Sequence, residues 1–368
     1  MTASPAEPVR FLTDSLKIYS PTEGESEFAG FLSDRMGAFG YRNVRTDRAG
    51  NVTGDIGSGK ERILLCGHMD TVPGRLKVWR NKEYVFGRGA SDAKSPLCAL
   101  LLGGASAADS GAKVTFAGVT EEEGDGAGIE ELIKRKQAYD FAVFGEPSGA
   151  RRITVGYRGR VGVKVTVRTT GGHAGASWAH HSAFDEFASA LSRARAYEAS
   201  MKVEGDHFHS LSVTPTLVRA GSFHNVVPGL CEATLDVRVP PPMRSSDAVK
   251  GIDEAMRSGD DAPSIRVEPG EPTEPYEADT GSTIVRAFQR AILLNLKAKP
   301  ALVRKTGTGD MNTFAHKRGT ECITYGPGDP LISHTDAESV GINDYLDSIK
   351  VVGEAMRQAS VIAGGSRT

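Results

Sequence analysis

Arg62–Pro73 reads RILLCGHMDTVP. A short apolar run ends in a polar group of metal-binding type, and the same event recurs twice. Lys113–Val119 (KVTFAGV) is followed by Glu121, Glu122 and Glu123, and Asp140–Phe144 (DFAVF) by Gly145-Glu146-Pro147. Runs of this length and composition predict buried strands. In an open α/β sheet, ligands bind beyond the carboxyl ends of the strands. Three strands therefore deliver an imidazole and several carboxylates to one edge. Between them Gly87–Asp92 (GRGASD) adds another acid. Each piece has an ordinary reading alone: a loop histidine, a helix start rich in acids, a Gly-Glu-Pro turn. Their joint order is what points to metal.

Nitrogen from His with oxygen from Asp and Glu suits zinc, with cobalt or manganese as substitutes. One ion needs about three protein ligands and an open position. The chain offers more, as expected of two ions about 3.5–4 Å apart that share a carboxylate.

The chain has 368 residues, 24% charged and 39% hydrophobic, with net charge −2. That suits about two globular domains and argues against a nucleic-acid binder. No run approaches a membrane span, and MTASPAEPVRF has no signal-peptide core. Cys66, Cys98, Cys231 and Cys322 are widely spaced and form no C-x-x-C, which fits reduced thiols in the cytoplasm.

Ser26–Phe39 and Ser95–Ala108 read as helices. Arg160–Thr170 alternates as a strand. A helix at 182–202, strands at 210–219 and 230–239, a helix at 246–258 and a strand at 264–268 follow. That order is the β-α-β-β-α-β split unit of ferredoxin-like domains. The expected layout is an α/β catalytic domain of residues 1–157 and 270–368, interrupted by an α+β domain of residues 158–269. A last helix is expected over Asn343–Ala363. Gly307–Asp310 (GTGD) is either a tight turn or a nest of amides for an anion.

The motifs GHMDTVP (67–73), GRGASDAK (87–94), TEEEG (120–124), GEP (145–147), GGHAG (171–175), HNVVPG (224–229), TGTGDMN (306–312) and YGPG (325–328) stand in order, with His334 after them. The chain thereby resembles the co-catalytic zinc aminoacylase/carboxypeptidase family, which includes acetylornithine deacetylase and succinyl-diaminopimelate desuccinylase. The likeness covers nearly the whole length. It implies a zinc-peptidase-like catalytic domain with an inserted ferredoxin-like dimerisation (lid) domain. It also implies a di-zinc hydrolase of linear amide bonds, with His68, Asp92 and Glu146 on one ion and Asp92, Glu123 and His334 on the other. Asp70 would orient His68. Glu122, the second acid of the family's Asp/Glu-Glu-Glu-Gly pattern, would be the general base. His173 would stabilise the oxyanion from the partner subunit of a homodimer. Arg158, Asn225, Arg238 and Gly307 would contact substrate.

VTEEEGDGAG (119–128) and RKTGTGDMN (304–312) most resemble the hydrolases that release lysine or ornithine from the C-terminal glutamate of a small acidic amino-group carrier protein, in lysine and arginine biosynthesis. Deacetylation or desuccinylation of a small N-acyl amino acid is the alternative. One local feature fits an acidic carrier: Pro147–Phe184 has no Asp or Glu but holds Arg151, Arg152, Arg158, Arg160, Lys164 and Arg168.

Overall fold

The computed structural model describes residues 6–106, 108–259 and 264–365. Residues 1–5, part of the segment read above for a signal peptide, and residue 107, inside the helix expected over Ser95–Ala108, lie outside them. The chain divides into two compact units. One comprises the described parts of Met1–Val155, Ala278–Val303 and Gly309–Thr368; the other comprises Gly156–Glu277 and Arg304–Thr308.

The first unit opens with α1 (Ala6–Lys17) and α2 (Ser26–Ala38), then β1 (Arg42–Thr46), β2 (Val52–Ile56) and β3 (Glu61–His68). A hairpin of β4 (Trp79–Arg80) and β5 (Tyr84–Phe86) precedes α3 (Lys94–Ala105), β6 (Ala112–Val119), α4 (Ala127–Ile133), β7 (Phe141–Phe144) and β8 (Arg152–Tyr157). In the sheet the strands β2-β6-β3-β7 are neighbours. β3 runs parallel to both β6 and β7, with His68 opposite Val119 and Cys66 opposite Phe144. The three runs read from sequence are thus adjacent, and their carboxyl ends are level. β3 is buried along nearly its whole length, as parallel strands covered on both faces are. Helix α3 is buried through most of its length.

The second unit holds β9 (Gly159–Arg168), β10 (Gly172–His173), α5 (Ala183–Ser200), β11 (Ser212–Ala220), β12 (Val226–Val227), β13 (Leu230–Val239), α6 (Ser245–Arg257) and β14 (Ser264–Pro269). Its sheet has the order β11-β13-β9-β14, antiparallel throughout. This is the ferredoxin-like order expected. Alternate residues Val161, Val163, Val165 and Val167 enter a core with Phe187 and Ala190 of α5 and with Ile252 and Met256 of α6. The Ser182 hydroxyl accepts from the Asp185 amide and caps α5.

The inserted unit is wider than the 158–269 expected. After β14 the chain stays with it, because the Gly270 amide donates to Gly162 O and Arg160 and Thr273 exchange backbone hydrogen bonds. β15 (Tyr276–Glu277) closes the stretch in the second unit, and the chain continues with α7 (Thr283–Leu296), β16 (Ala301–Lys305), α8 (Asp310–Arg318), β17 (Glu321–Thr324), β18 (Ser339–Gly341) and α9 (Ile342–Gly365), all in the first unit except Arg304 and Lys305. α9 packs on α3 so closely that a Cβ on Gly103 would lie 2.5 Å from Val352 Cβ. All four cysteines are free and buried. Among the described residues no helix is long and apolar enough to cross a membrane.

Candidate metal centre

His68 closes β3, and its ring is buried. Its Nδ1 lies 3.0 Å from the Asp70 carbonyl oxygen and 3.3 Å from Asp70 Oδ1. With the proton on Nδ1, Nε2 is turned to the acids, 3.4 Å from Asp92 Oδ1 and 3.9 Å from Glu146 Oε1. On the other side of Asp92, His334 Nε2 stands 3.5 Å from Asp92 Oδ2 and 2.7 Å from Glu123 Oε1. Two donors at ~2.0 Å from a tetrahedral ion are about 3.3 Å apart, so the separations of Asp92 from His68 and from His334 have the span of a shared ion. Donor atoms of His68, Asp92 and Glu123 all fall within 4.8 Å of one another. The donor set fits divalent cations of the zinc type.

The run of three acids is resolved by its backbone. Glu121 takes a left-handed φ of 58°, and its amide donates to Glu25 Oε1. The Glu122 and Glu123 amides donate to Asp70 Oδ1 and Oδ2, each at 3.1 Å. Asp70 therefore holds both the imidazole of His68 and the turn that carries the acids. Glu123 reaches His334, whereas Glu122 faces His68, Asp310 and Glu146.

Crowded carboxylates set the proton affinities. Burial pushes Glu122 well above the usual range; His68 opposes this, and Asp310, Glu146 and Glu123 add to it. Burial also raises Asp310, to about 7. For His68, burial disfavours the cation, but Asp70 and Asp92 as acceptors and Glu122 as a neighbouring charge prevail and lift it well above the ordinary value. Burial raises Asp70 too, but hydrogen bonding to His68 outweighs it and the group ends below its ordinary value. A pocket with this excess of negative charge favours cations.

Several supports had no signal in the sequence. Glu338 is buried and accepts from the Ser91 and Asp92 amides, each at 3.0 Å, while its second oxygen takes Arg88 Nη1 at 2.8 Å. Thr22 Oγ1 donates to Asp70 Oδ2. Glu25 lies among Glu23 and Glu27 and Glu338 follows Asp336, and nothing in the spacing sets either apart from its acidic neighbours. Asp310 stood inside the GTGD stretch. There a Cβ on Gly309 would come within 3.3 Å of Glu122 Oε1, so glycine leaves that carboxylate room.

The remaining candidates belong to the inserted unit, in two groups. His173 pairs with Val226 across β10 and β12, and the Ala174 amide donates to Asn225 O. His173 is exposed, with Nδ1 accepting from the Gly175 amide at 2.9 Å. Arg158, Arg238 and Gly307 form the other group. Arg158 donates to Thr306 O and Ser210 O, and Arg238 to Thr308 Oγ1. Arg238 is also paired with Asp236 at 2.6 Å, so one candidate for a substrate carboxylate already holds an internal one.

The model of Peptidase family M20/M25/M40 matches residues 64–358. The chain belongs to that family. It is 34% identical to a Pyrobaculum aerophilum protein over 95% of this chain and 97% of the relative, which carries the name LysW-lysine/LysW-ornithine hydrolase provisionally. A Saccharolobus islandicus protein with that name is 29% identical over 92% of both chains. Among solved structures, aminopeptidase PepT from Bacillus cereus superposes with a TM-score of 0.81 at 17% identity, over 97% of this chain and 99% of that one. Bacillus subtilis YXEP, described as a dinuclear metal-binding peptidase of family M20, superposes at 0.76 with 12% identity, over 97% and 98%. At such identities these two matches speak to the fold. The chain is thus a hydrolase of the M20 metallopeptidase family.

Proposed function

We propose that this M20 hydrolase releases lysine or ornithine from the C-terminal glutamate of a LysW-type carrier protein, as a cytoplasmic homodimer using two divalent ions per chain. The observation that carries the chemistry is the level row of donors at the ends of β6, β3 and β7, with Asp92 between two clusters. The substrate reading is supported by the names of full-length relatives. His68, Asp92 and Glu146 would hold one ion, and Asp92, Glu123 and His334 the other. Bound zinc would polarise the scissile carbonyl and bring the pKa of water to about 7.

The chain's own residues do the rest. Glu122 accepts a proton from water and returns it to the leaving amine. Its raised proton affinity suits the second step, in which it must act as an acid. Asp70 fixes the tautomer and ring orientation of His68. His173 is assigned to the oxyanion, and Arg158, Asn225, Arg238 and Gly307 to substrate contacts.

The test is a panel of carrier-linked lysine, carrier-linked ornithine, N-acetylornithine and succinyl-diaminopimelate, each assayed before and after chelation. Release from the carrier-linked pair, lost with chelator and restored by about two equivalents of zinc, is expected. Turnover confined to N-acetylornithine or succinyl-diaminopimelate would overturn the carrier assignment.

A further inference from the structure

The cationic stretch within residues 147–184 is divided between the two units. Arg151 and Arg152 lie in the first unit and Arg158 to Arg168 in the second. Arg160 pairs with Asp236 at 2.7 Å and Lys164 with Glu232 at 3.4 Å. Part of its charge is thus met inside the molecule.

The hairpin beside the metal centre is different. Between Gly74 and Phe86 stand Arg75, Lys77, Arg80 and Lys82, with Glu83 the single acid. All four cations are exposed, and among the described residues none pairs with a carboxylate. At their centre Trp79 stacks on Phe86, ring centroids 3.9 Å apart and planes 2° from parallel. Trp79 is 47% exposed and Tyr84 45%. β4 ends its small sheet, ordered β18-β5-β4. The tip is closed by Asn81 Oδ1, which accepts from the Glu83 and Tyr84 amides. The base is tied to the catalytic loop: Arg88 donates to Gly74 O at 3.0 Å and to Glu338, the carboxylate that holds the Asp92 amide. The hairpin is therefore braced against the metal-site loop.

Lysines on a free edge strand often serve only to deter pairing. That role does not call for a half-bare tryptophan. Trp, Tyr and Arg are the residues that dominate binding hot spots, and the cations around them, with no carboxylate partner among the described residues, add positive charge. We propose that the hairpin Arg75–Tyr84 is a docking surface for an acidic polypeptide segment of the protein that presents the scissile bond. This deepens the carrier reading and rests on it for the identity of that protein. The surface itself specifies the chemistry of the partner, acidic side chains beside an aromatic platform.

The experiment uses two synthetic peptides with the same C-terminal glutamate carrying lysine in amide linkage. One has Asp and Glu upstream; in its twin these are Asn and Gln. Binding is read by fluorescence anisotropy, and lysine release is measured in parallel. Wild-type enzyme is expected to bind the acidic peptide more tightly at low salt and to lose that preference near ~1 M salt, where the Debye length falls to ~3 Å. The variant carrying Arg75→Ala, Lys77→Ala, Arg80→Ala and Lys82→Ala is expected to bind the acidic peptide roughly tenfold or more weakly, four exposed pairs each being modest. Its release of lysine from the neutral twin at saturation should match wild type. Equal affinity of wild type and variant for the acidic peptide overturns the docking surface. Failure of the wild type to release lysine from either peptide or from the carrier overturns the hydrolase reading instead, while the binding comparison still decides this one. If the fourfold variant does not fold, Arg80→Glu alone carries the test, with a smaller loss of the same sign.

Discussion

The two largest sheets of this protein treat their strands in opposite ways. β3 is buried at seven of its eight positions; β9 alternates strictly, every odd residue buried and every even one open or half-open. In the first sheet the lateral positions are taken up by the core, so chemistry emerges only where a strand stops, at His68, after Val119 and after Phe144. In the second sheet one face meets helices and the other meets solvent, so charged side chains line the strands and find partners across them: Arg160 with Asp236, Lys164 with Glu232. Groups at strand ends converge from far apart in the chain and stay electrostatically frustrated. Groups along an antiparallel face neutralise one another.

The contrast breaks if the strand-end acids behave like surface acids. Glu122→Gln is expected to lower kcat by about 10²–10⁴ while leaving bound metal unchanged, as loss of a general base does. Steady-state kinetics with metal analysis reads both. A normal kcat in Glu122→Gln, with the loss appearing in Glu121→Gln, would shift the base one place along the run.

Next in size is the support beneath Asp92. Glu338→Ala strips the buried Arg88 guanidinium of its buried carboxylate partner and leaves two backbone amides without their acceptor. A stability loss of about 3–5 kcal/mol is expected, the cost of stranding a buried charge, together with weaker zinc binding. Denaturant unfolding and metal titration measure the two. A loss under about 1 kcal/mol would mean that the donor row needs no bracing.

The smallest effect sharpens the other side of the comparison. Burial alone would raise Asp236, but its hydrogen bonds with Arg238 and Arg160 outweigh this and hold it below the ordinary value of 3.8. A carboxylate so depressed contributes stability that is fully present above that value and is lost as pH falls through its lower, folded-state pKa. Asp236→Asn should therefore cost about 1–3 kcal/mol at pH 7, the range for a charged hydrogen bond. The gap from wild type should close as unfolding is followed to lower pH. A gap that is constant with pH would show a packing effect rather than an ionic one.

Much of this was legible in one dimension. Apolar runs ending in His68, in three glutamates and in Glu146 carry their meaning locally, because a buried parallel strand must be apolar and must release its polar groups at its end. The alternation of β9 and the order of helices and strands after it likewise announce the ferredoxin-like unit. The domain border did not show itself: residues 270–277 look like a return, yet backbone hydrogen bonds from Gly270 and Thr273 keep them with the inserted unit. The cationic run at 151–168 looked like a surface for an acidic partner, but pairing across strands consumes part of it and the unit border divides it. Glu25, Thr22 and Glu338 were invisible for the same reason. The sequence by itself determined which side chains stand at strand ends as candidate donors and on what kind of element each sits, since burial and period act over a few neighbours. Only the tertiary structure decided which carboxylates meet amides, which cations among the described residues keep no carboxylate partner and which acid of three faces His334, because those outcomes depend on distances between residues tens to hundreds of positions apart.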